Sequence, residues 1–158
     1  ICGFTDASGF EDAFALKTDS MGNEQWRHTY GLSGLQDVFG DIELVPDGYI
    51  LSGGTIMSEA NIDFLVMKVD SAGLEVWTTR YGSPFKEPAA SILKLVDGRL
   101  LLSGAWAMDV NGFETPYVAF IDPLNGEVLS STLYGSPEYG RTIFASKHNS
   151  PHKWPKTK

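Results

Sequence analysis

The sequence predicts an all-β fold made of about three copies of a four-stranded unit. Three observations support this prediction. Short runs that alternate polar and apolar residues are separated by turn residues, as in DAFALKTD, MGN and EQWRHTYG. Glycine and proline are frequent, with 17 and 8 residues among 158, which indicates many turns. The same pattern of strands and turns returns along the chain, and the strands leave no room for a long helix.

The repeat is visible at turn residues, at an aromatic residue and at the end of a strand. The matching pairs, each 51 positions apart, are Lys17 and Lys68, Asp19 and Asp70, Gly22 and Gly73, Trp26 and Trp77, and Tyr30 and Tyr81. A third copy follows with a slightly longer turn and places Leu129 where the other copies have Trp. A period of about fifty residues that holds four short strands is typical of a β-propeller blade. We therefore expect about three β-propeller-type blades in this chain.

The elements can be assigned in order. ICGFT, residues 1–5, resembles ILSGGT and LLSGAW, which close the later units, so we expect the chain to begin at a last strand. The first repeat spans about residues 12–55, with strands DAFALKTD, EQWRHTYG, VFGDIELV and YILSGGT and a Pro-Asp-Gly turn before the last of them. The second and third repeats span about 63–106 and 116–148. Together with residues 1–5 they form one domain, 1–148, in which the segments between repeats are expected to be loops linking one blade to the next.

The remaining segment, residues 149–158, is basic and contains two prolines, so we expect a flexible tail. The third repeat lacks a closing strand, and we expect residues 1–5 to complete it, in the same chain or in a second copy. Three blades are too few for a closed ring. The chain is therefore expected to be a segment of a longer propeller, or to form a homo-oligomer that completes the ring. An open array of three sheets is less favoured because exposed sheet edges invite aggregation.

Composition restricts the partners. The formal charge is -8, and four of the twelve basic residues lie after Ser146, so the body of the chain is strongly acidic. Such a surface repels phosphate backbones and anionic lipids, which excludes nucleic acid as a partner of this body. No apolar run is long enough to span a membrane. The start of the chain lacks the pattern of a signal peptide and an initiator Met, which suggests a processed or partial product whose export signal stood upstream.

Catalytic and metal-binding motifs are absent from the sequence. It contains no G-x-S-x-G, H-E-x-x-H, P-loop or dinucleotide fingerprint, so we predict no catalytic residues and no cofactor, although loop carboxylates could meet in three dimensions. The Asp residues that precede turn glycines, Asp19, Asp70 and Asp122, are expected to shape hairpin turns and not to bind calcium. The segment 109–114 carries oxygen ligands at alternate positions but lacks a distant bidentate Glu, so no metal site is predicted.

Residues that differ between repeats are the candidates for recognition. In a propeller, ligands usually meet the face formed by the loops between the second and third strands and by the loops between blades. Residues that recur hold the blade, and we expect Trp26 and Trp77 to pack between sheets and not to stack on a sugar or quinone. The candidate ligand-binding residues are Lys86, Glu87, Trp106, Asp109, Glu114, Tyr139 and Arg141.

The repeat units FALKTDSMGNEQWRHTYG and FLVMKVDSAGLEVWTTRYG, followed by DGYILSGGT or DGRLLLSG, resemble the β-propeller repeats of large secreted or surface proteins of bacteria. The resemblance implies a propeller fold and an extracellular, cell-surface or periplasmic location, and it carries no family-wide active site. VDSAGLEVW and IDPLNGEVL are also similar, over a shorter stretch, to quinoprotein-type blades. We therefore expect a non-enzymatic binding or scaffold module that presents loops to a protein or carbohydrate ligand. The alternative is a fragment of a propeller enzyme, either glycoside-active or quinoprotein-like.

Overall fold

A computed structural model describes residues 1–5, 12–31, 34–87, 90–109 and 114–134. These residues form strands and turns, with no helix among them, and therefore none long and apolar enough to cross a membrane. The strands are β1 (Cys2–Thr5), β2 (Asp12–Thr18), β3 (Glu24–Tyr30), β4 (Gln36–Val45), β5 (Gly48–Ser58), β6 (Asn61–Asp70), β7 (Glu75–Tyr81), β8 (Ala90–Lys94), β9 (Leu100–Ala107), β10 (Glu114–Ile121) and β11 (Val128–Leu133). The predicted tail and the candidate residues Tyr139 and Arg141 lie outside the described residues.

The strands form three antiparallel sheets, which confirms the all-β prediction. Sheet 1 has the order β1-β2-β3, sheet 2 the order β4-β5-β6-β7, and sheet 3 the order β11-β10-β9-β8. Each sheet joins strands that follow one another along the chain, and none of the three closes on itself. Each complete sheet begins at the third strand of one sequence repeat and ends at the second strand of the next. The sheets are therefore out of phase with the repeats as the sequence divides them.

The pairing of β1 is that of a fourth strand with the first strand of the next repeat. β1 pairs with β2, with Cys2 opposite Ala15 and Thr5 opposite Asp12, as β5 pairs with β6. β1 is an edge strand of sheet 1, which has three strands among the described residues. The part of the third repeat that residues 1–5 are expected to complete lies outside the described residues, so this completion stays a prediction.

The segment between the first two repeats corrects a prediction. We expected a loop between blades there, but β5 and β6 form one hairpin whose paired residues reach Ser58 and Asn61. Only two residues separate these strands. A connection this short joins antiparallel neighbours of one sheet, so the boundary between sheets lies elsewhere, in the longer segments before β4 and before β8.

Two hydrophobic clusters lie between the sheets. The cluster between sheets 1 and 2 contains Ala13, Ala15, Tyr30, Phe39, Leu51, Leu65, Met67 and Val69. The cluster between sheets 2 and 3 contains Val45, Ile50, Phe64, Val66, Ile92, Leu100, Leu102, Tyr117, Ala119 and Ile121. Sheet 2 is thus covered by apolar contacts on both faces, which explains the nearly continuous burial along β6.

Hydrogen bonds also connect the two sheets beside each cluster, and we call each set of these bonds a joint. In the first joint, Trp26 Nε1 donates to the carbonyl oxygen of Ser71 at 3.1 Å, and the Tyr30 hydroxyl donates to that of Gly73 at 2.7 Å. His28 Nε2 lies 3.0 Å from the carbonyl oxygen of Ala72 between them. Three side chains on one face of β3 therefore bind three successive carbonyls of the β6–β7 turn.

The second joint repeats the first between sheets 2 and 3. Trp77 Nε1 donates to the carbonyl oxygen of Pro123 at 3.2 Å, and the Tyr81 hydroxyl donates to that of Gly126. Burial raises the pKa of both Tyr30 and Tyr81 to about 12, so both phenols stay protonated and remain hydrogen-bond donors at ordinary pH. The prediction that the repeated Trp residues pack between sheets is confirmed.

The equivalent hairpin turns of the three sheets are shaped by Asp and Gly, as expected from the sequence. Asp70 Oδ1 accepts hydrogen bonds from the backbone amides of Ala72 and Leu74, and Asp19 Oδ1 does the same for Met21 and Asn23. The glycine of each turn has a positive φ, 88° at Gly22, 82° at Gly73 and 76° at Gly126. These Asp side chains satisfy backbone amides of their own turns.

The third copy of the pattern departs from the first two. By strand register, Trp26 lies opposite Lys17 and Trp77 opposite Lys68, while Ser130 lies opposite Phe120. The equivalent of Trp is therefore Ser130 and not Leu129, because the third copy has one more residue between paired positions: Trp77 follows Lys68 by nine positions, and Ser130 follows Phe120 by ten.

Candidate functional site

Strand direction gives the sheets two distinct ends. One, the turn end, carries the turns of the joints. The other, the loop end, carries the β5–β6 and β9–β10 connections and the segments that lead from one sheet to the next. The candidate ligand-binding residues that the structure describes belong to the loop end, and so do the buried carboxylates Asp37 and Glu87.

A row of polar side chains, which we call the carboxylate row, crosses sheet 2 at the loop end. Asp37 on β4 lies opposite Thr55 on β5, and Thr55 lies opposite Asp63 on β6. Residues directly opposite each other in antiparallel strands project from the same face, so these side chains are neighbours. The Thr55 hydroxyl donates to Asp37 Oδ1.

Arg80 joins this row from β7. Its Nε donates to Thr55 Oγ1 at 2.8 Å, and its Nη2 lies 3.4 Å from Asp37 Oδ1. Asp37 is only 1% exposed, and a buried carboxylate needs a partner of this kind. Arg80 therefore neutralises one end of the row.

Asp63 and Glu87 form the other end of the row. A methyl group placed on Gly82 would lie 2.1 Å from Asp63 Oδ1 and 3.0 Å from Glu87 Oε2, so both carboxylates crowd the position that glycine leaves open. Glu87 is fully buried. Ser83 supports it, since its hydroxyl donates to Glu87 Oε1 at 2.5 Å and its backbone amide to Oε2 at 3.2 Å.

Both carboxyl groups are easier to protonate than usual. Burial raises the pKa of Glu87 most, the bonds from Ser83 lower it, and the nearby charge of Asp63 raises it. Burial also raises the pKa of Asp63, and Arg80 lowers it. Asp63 Oδ1 is buried with no hydrogen-bond partner, as is the Oδ1 of Asn61, two residues earlier on the same strand. Buried polar atoms without partners are uncommon and mark this end of the sheet as chemically unusual.

The same arrangement occurs between sheets 1 and 2. A methyl group on Gly31 would lie 2.7 Å from Asp12 Oδ1 and 3.5 Å from Asp37 Oδ2. Asp12 and Asp63 lie near the start of the equivalent strands β2 and β6, and Gly31 and Gly82 follow the equivalent strands β3 and β7. A carboxylate pair beside a glycine is thus a repeated feature of the loop end.

The predicted ligand-binding residues that the structure describes are distributed over this end. Lys86 is exposed and forms an isolated parallel bridge with Ile62, while the neighbouring Glu87 turns inward. Trp106 is half-buried, and its ring lies 4.8 Å from that of Tyr117 in the core between sheets 2 and 3. Asp109 and Glu114 are half-buried at the β9–β10 connection.

The structure thus brings Glu87 together with residues that were not predicted as site residues, namely Asp37, Asp63 and Arg80. One signal in the sequence pointed to them, because Asp12 and Asp63 are 51 positions apart, as are Gly31 and Gly82. No group of three or more His, Cys, Asp and Glu side chains within the described residues could hold a metal ion.

A separate cavity lies at the turn end. Its volume is about 420 Å³, and it is lined by Val45, Pro46, Asp47, Lys68, Lys94, Gly98, Pro123 and Leu124. Lys68 Nζ, nearly buried, forms an ion pair with Asp47 Oδ2 at 2.8 Å along this cavity. The cavity and the carboxylate row lie at opposite ends of the sheets, so they are independent features.

Comparison with known proteins adds no relative to these observations, since neither a protein-family model nor a curated protein matches the chain.

Proposed function

We propose that the chain is a non-enzymatic binding or scaffold module in which β-propeller-type blades present the loop end to a protein or carbohydrate ligand. The observation that carries the proposal is the repeated joint. Two successive pairs of sheets are fixed by the same tyrosine and tryptophan contacts to the next turn, as expected of blades arranged around an axis.

The contrast between the two ends supports the same proposal. At the turn end, the same residue types recur and bond to one another. At the loop end, the connections differ in length, with two residues between β5 and β6 and six between β9 and β10. A rigid framework that holds out variable connections is the usual design of a recognition surface.

The proposal includes a location and a ring. The repeats resemble those of secreted and surface proteins of bacteria, so we propose an extracellular, surface or periplasmic setting. Sheets joined in series would belong to a larger closed arrangement, formed by more of the same chain or by further copies of it.

The ligand-binding test uses a matched pair of lysines. The purified chain is applied to glycan arrays and to arrays of extracellular proteins, and each hit is measured again with Lys86→Gln and Lys94→Gln. Lys86 is exposed at the loop end, whereas Lys94 ends β8 at the turn end. We expect Lys86→Gln to weaken binding and Lys94→Gln to leave it unchanged. The reverse pattern would place recognition at the turn end and contradict the proposal.

A fragment of a propeller enzyme is the second candidate, and the carboxylate pair is the observation that favours it. Two adjacent acids with raised pKa values are typical of acid–base catalysis. The test is turnover of a panel of glycosides, and of alcohols with added quinone and calcium. Activity lost in Glu87→Gln and in Asp63→Asn, and kept in the exposed control Asp97→Asn, would establish the enzyme.

A further inference from the structure

Each joint has two halves. The donor half is the face of a sheet that carries the Tyr and Trp, and the acceptor half is the turn of the next sheet, whose glycine carbonyl accepts the Tyr hydroxyl. Sheets 1 and 2 use their donor halves, and sheets 2 and 3 use their acceptor halves. Within the described residues, the donor half of sheet 3 and the acceptor half of sheet 1 remain uncovered.

The donor half of sheet 3 carries Tyr134. Tyr30 lies opposite Ala13 and Tyr81 opposite Phe64, and the backbone amide of Tyr134 bonds to the carbonyl of the equivalent residue, Pro116. Tyr134 is 53% exposed, whereas Tyr30 is buried in its joint. The same face carries apolar side chains that are only half-buried, Leu101, Val118 and Phe120.

The acceptor half of sheet 1 is the β2–β3 turn. It has the same Asp-shaped geometry as the turn of the first joint, and its Gly22 has the same positive φ, but a methyl group on Gly22 would meet nothing within 4 Å. Behind the turn, Phe14 and Leu16 are half-buried, whereas the equivalent Leu65 and Met67 of sheet 2 are 1% and 4% exposed. This half is therefore built like the others and lacks its cover.

The two uncovered halves match in size. In the first joint, a large Trp26 meets a turn with the small Ala72. In the uncovered halves the large and the small side chain change places. Ser130 of sheet 3 stands at the Trp position, and Met21 of sheet 1, which is 83% exposed, stands at the Ala position. A thioether side chain can fill the space that the missing indole leaves.

We propose that sheet 3 of one copy binds the β2–β3 turn of a second copy head to tail, with the Tyr134 hydroxyl donating to the carbonyl oxygen of Gly22. The occupant is a second copy because both halves belong to this chain and the contact continues an interface that it already contains twice. The proposal rests on the blade arrangement of the proposed function and names its assembly surface. A head-to-tail contact is heterologous, so it closes into a ring when the rotation permits.

Sedimentation velocity over a concentration series tests the contact. The wild-type chain is expected to associate, and Tyr134→Phe, which removes one hydroxyl, is expected to weaken association by about threefold to tenfold, the value of one neutral hydrogen bond. Tyr134→Asp should abolish it. Leu133→Asp is the matched control, because Leu133 is also exposed but projects from the opposite face of β11. Circular dichroism confirms that each variant folds.

Mixing two variants tests the head-to-tail arrangement. Met21→Asp and Tyr134→Asp each damage one half, so neither associates alone, but a mixture retains one intact pair of halves and should form mixed dimers and nothing larger. A chain with both substitutions should not join them. A wild-type monomer at every concentration, association retained by Tyr134→Asp, or failure of the mixture to form dimers would each overturn the proposal. Met21 lies in the β2–β3 turn at the turn end, far along the strands from Lys86 at the loop end. Loss of association in Met21→Asp with ligand binding retained would therefore separate a failure of one proposal from a failure of the other.

Discussion

Gly73→Ala is expected to destabilise the protein more than an equivalent substitution away from a joint. Gly73 has a φ of 82°, where an L-residue costs about 1–2 kcal/mol. The added methyl group would also lie 2.5 Å from His28 Cδ2 and 2.9 Å from Trp26 Cε3, inside the first joint. Overpacking of this kind costs about 1–3 kcal/mol, so the total loss in the free energy of unfolding should be about 2–5 kcal/mol.

Gly98→Ala separates the two contributions. Gly98 has a φ of 92°, yet a methyl group there would meet nothing within 4 Å, so only the conformational cost of about 1–2 kcal/mol applies. The free energy of unfolding of both variants is measured by urea unfolding, with tryptophan fluorescence and circular dichroism as the signals. The midpoint of thermal unfolding should also fall by about 2–4 °C for each kcal/mol. Equal losses in the two variants would refute the packing of the first joint, and adding His28→Ala to Gly73→Ala should recover part of the excess.

Three further predictions concern single polar groups. Tyr81→Phe, which removes the bond to Gly126, should lower the free energy of unfolding by about 0.5–1.5 kcal/mol. Arg80→Met should cost about 3–5 kcal/mol, because it leaves the buried Asp37 without its cation. Asp63→Asn should stabilise the protein at neutral pH. The raised pKa of Asp63 means that the folded state binds its proton more tightly, so this group lowers stability as pH rises from about 4 through the folded pKa. Asp63→Asn should flatten that part of the stability profile.

Each of these three predictions has its own measurement and control. Urea unfolding at pH 7 compares Tyr81→Phe with Tyr134→Phe, whose hydroxyl is exposed and whose removal should leave the stability of the monomer unchanged. Arg99→Met is the control for Arg80, since Arg99 pairs with an exposed Asp97. For Asp63, unfolding is measured between pH 4 and pH 8. An unchanged pH profile would contradict the assignment, and Asp97→Asn should act in the opposite sense, because its bond to Arg99 lowers the pKa of Asp97.

The Trp packing and the turns of the joints could be predicted from the sequence because they follow a repeat spacing and local turn chemistry, whereas the Tyr and His contacts were not predicted. Trp26 and Trp77 recur at one spacing, and the Asp and Gly of the turns specify their own backbone geometry. The assignment of strands to sheets could not be read in the same way. A repeat has no intrinsic starting point, and the division of the chain depends on which hairpins share a sheet. The two-residue connection between β5 and β6 decides it, but Ser58 and Asn61 lie beyond the apolar core of their strands and gave a weak signal.

The carboxylate row was predicted only through Glu87, because its members come from separate strands. Asp37, Thr55, Asp63 and Arg80 lie on β4, β5, β6 and β7, and each alone is an ordinary polar residue at a strand end. Only the pairing register places them on one face. The proposed contact between copies also depends on register, because register shows that Tyr134 is equivalent to Tyr30 and Tyr81.

The polar groups of the joints are satisfied, whereas some of those at the loop end are not, and this difference bears on function. At the turn end, the hydroxyl of Tyr30 has a carbonyl partner, and the carboxylate of Asp70 has amide donors. At the loop end, oxygens of Asn61 and Asp63 are buried without partners, and the carboxylates of Asp63 and Glu87 both lie beside Gly82. Natural proteins keep such costly groups mainly where function requires them. Substitutions in the joints should therefore change stability and assembly together, whereas substitutions in the carboxylate row should change the pH profile and ligand binding while the joints stay intact.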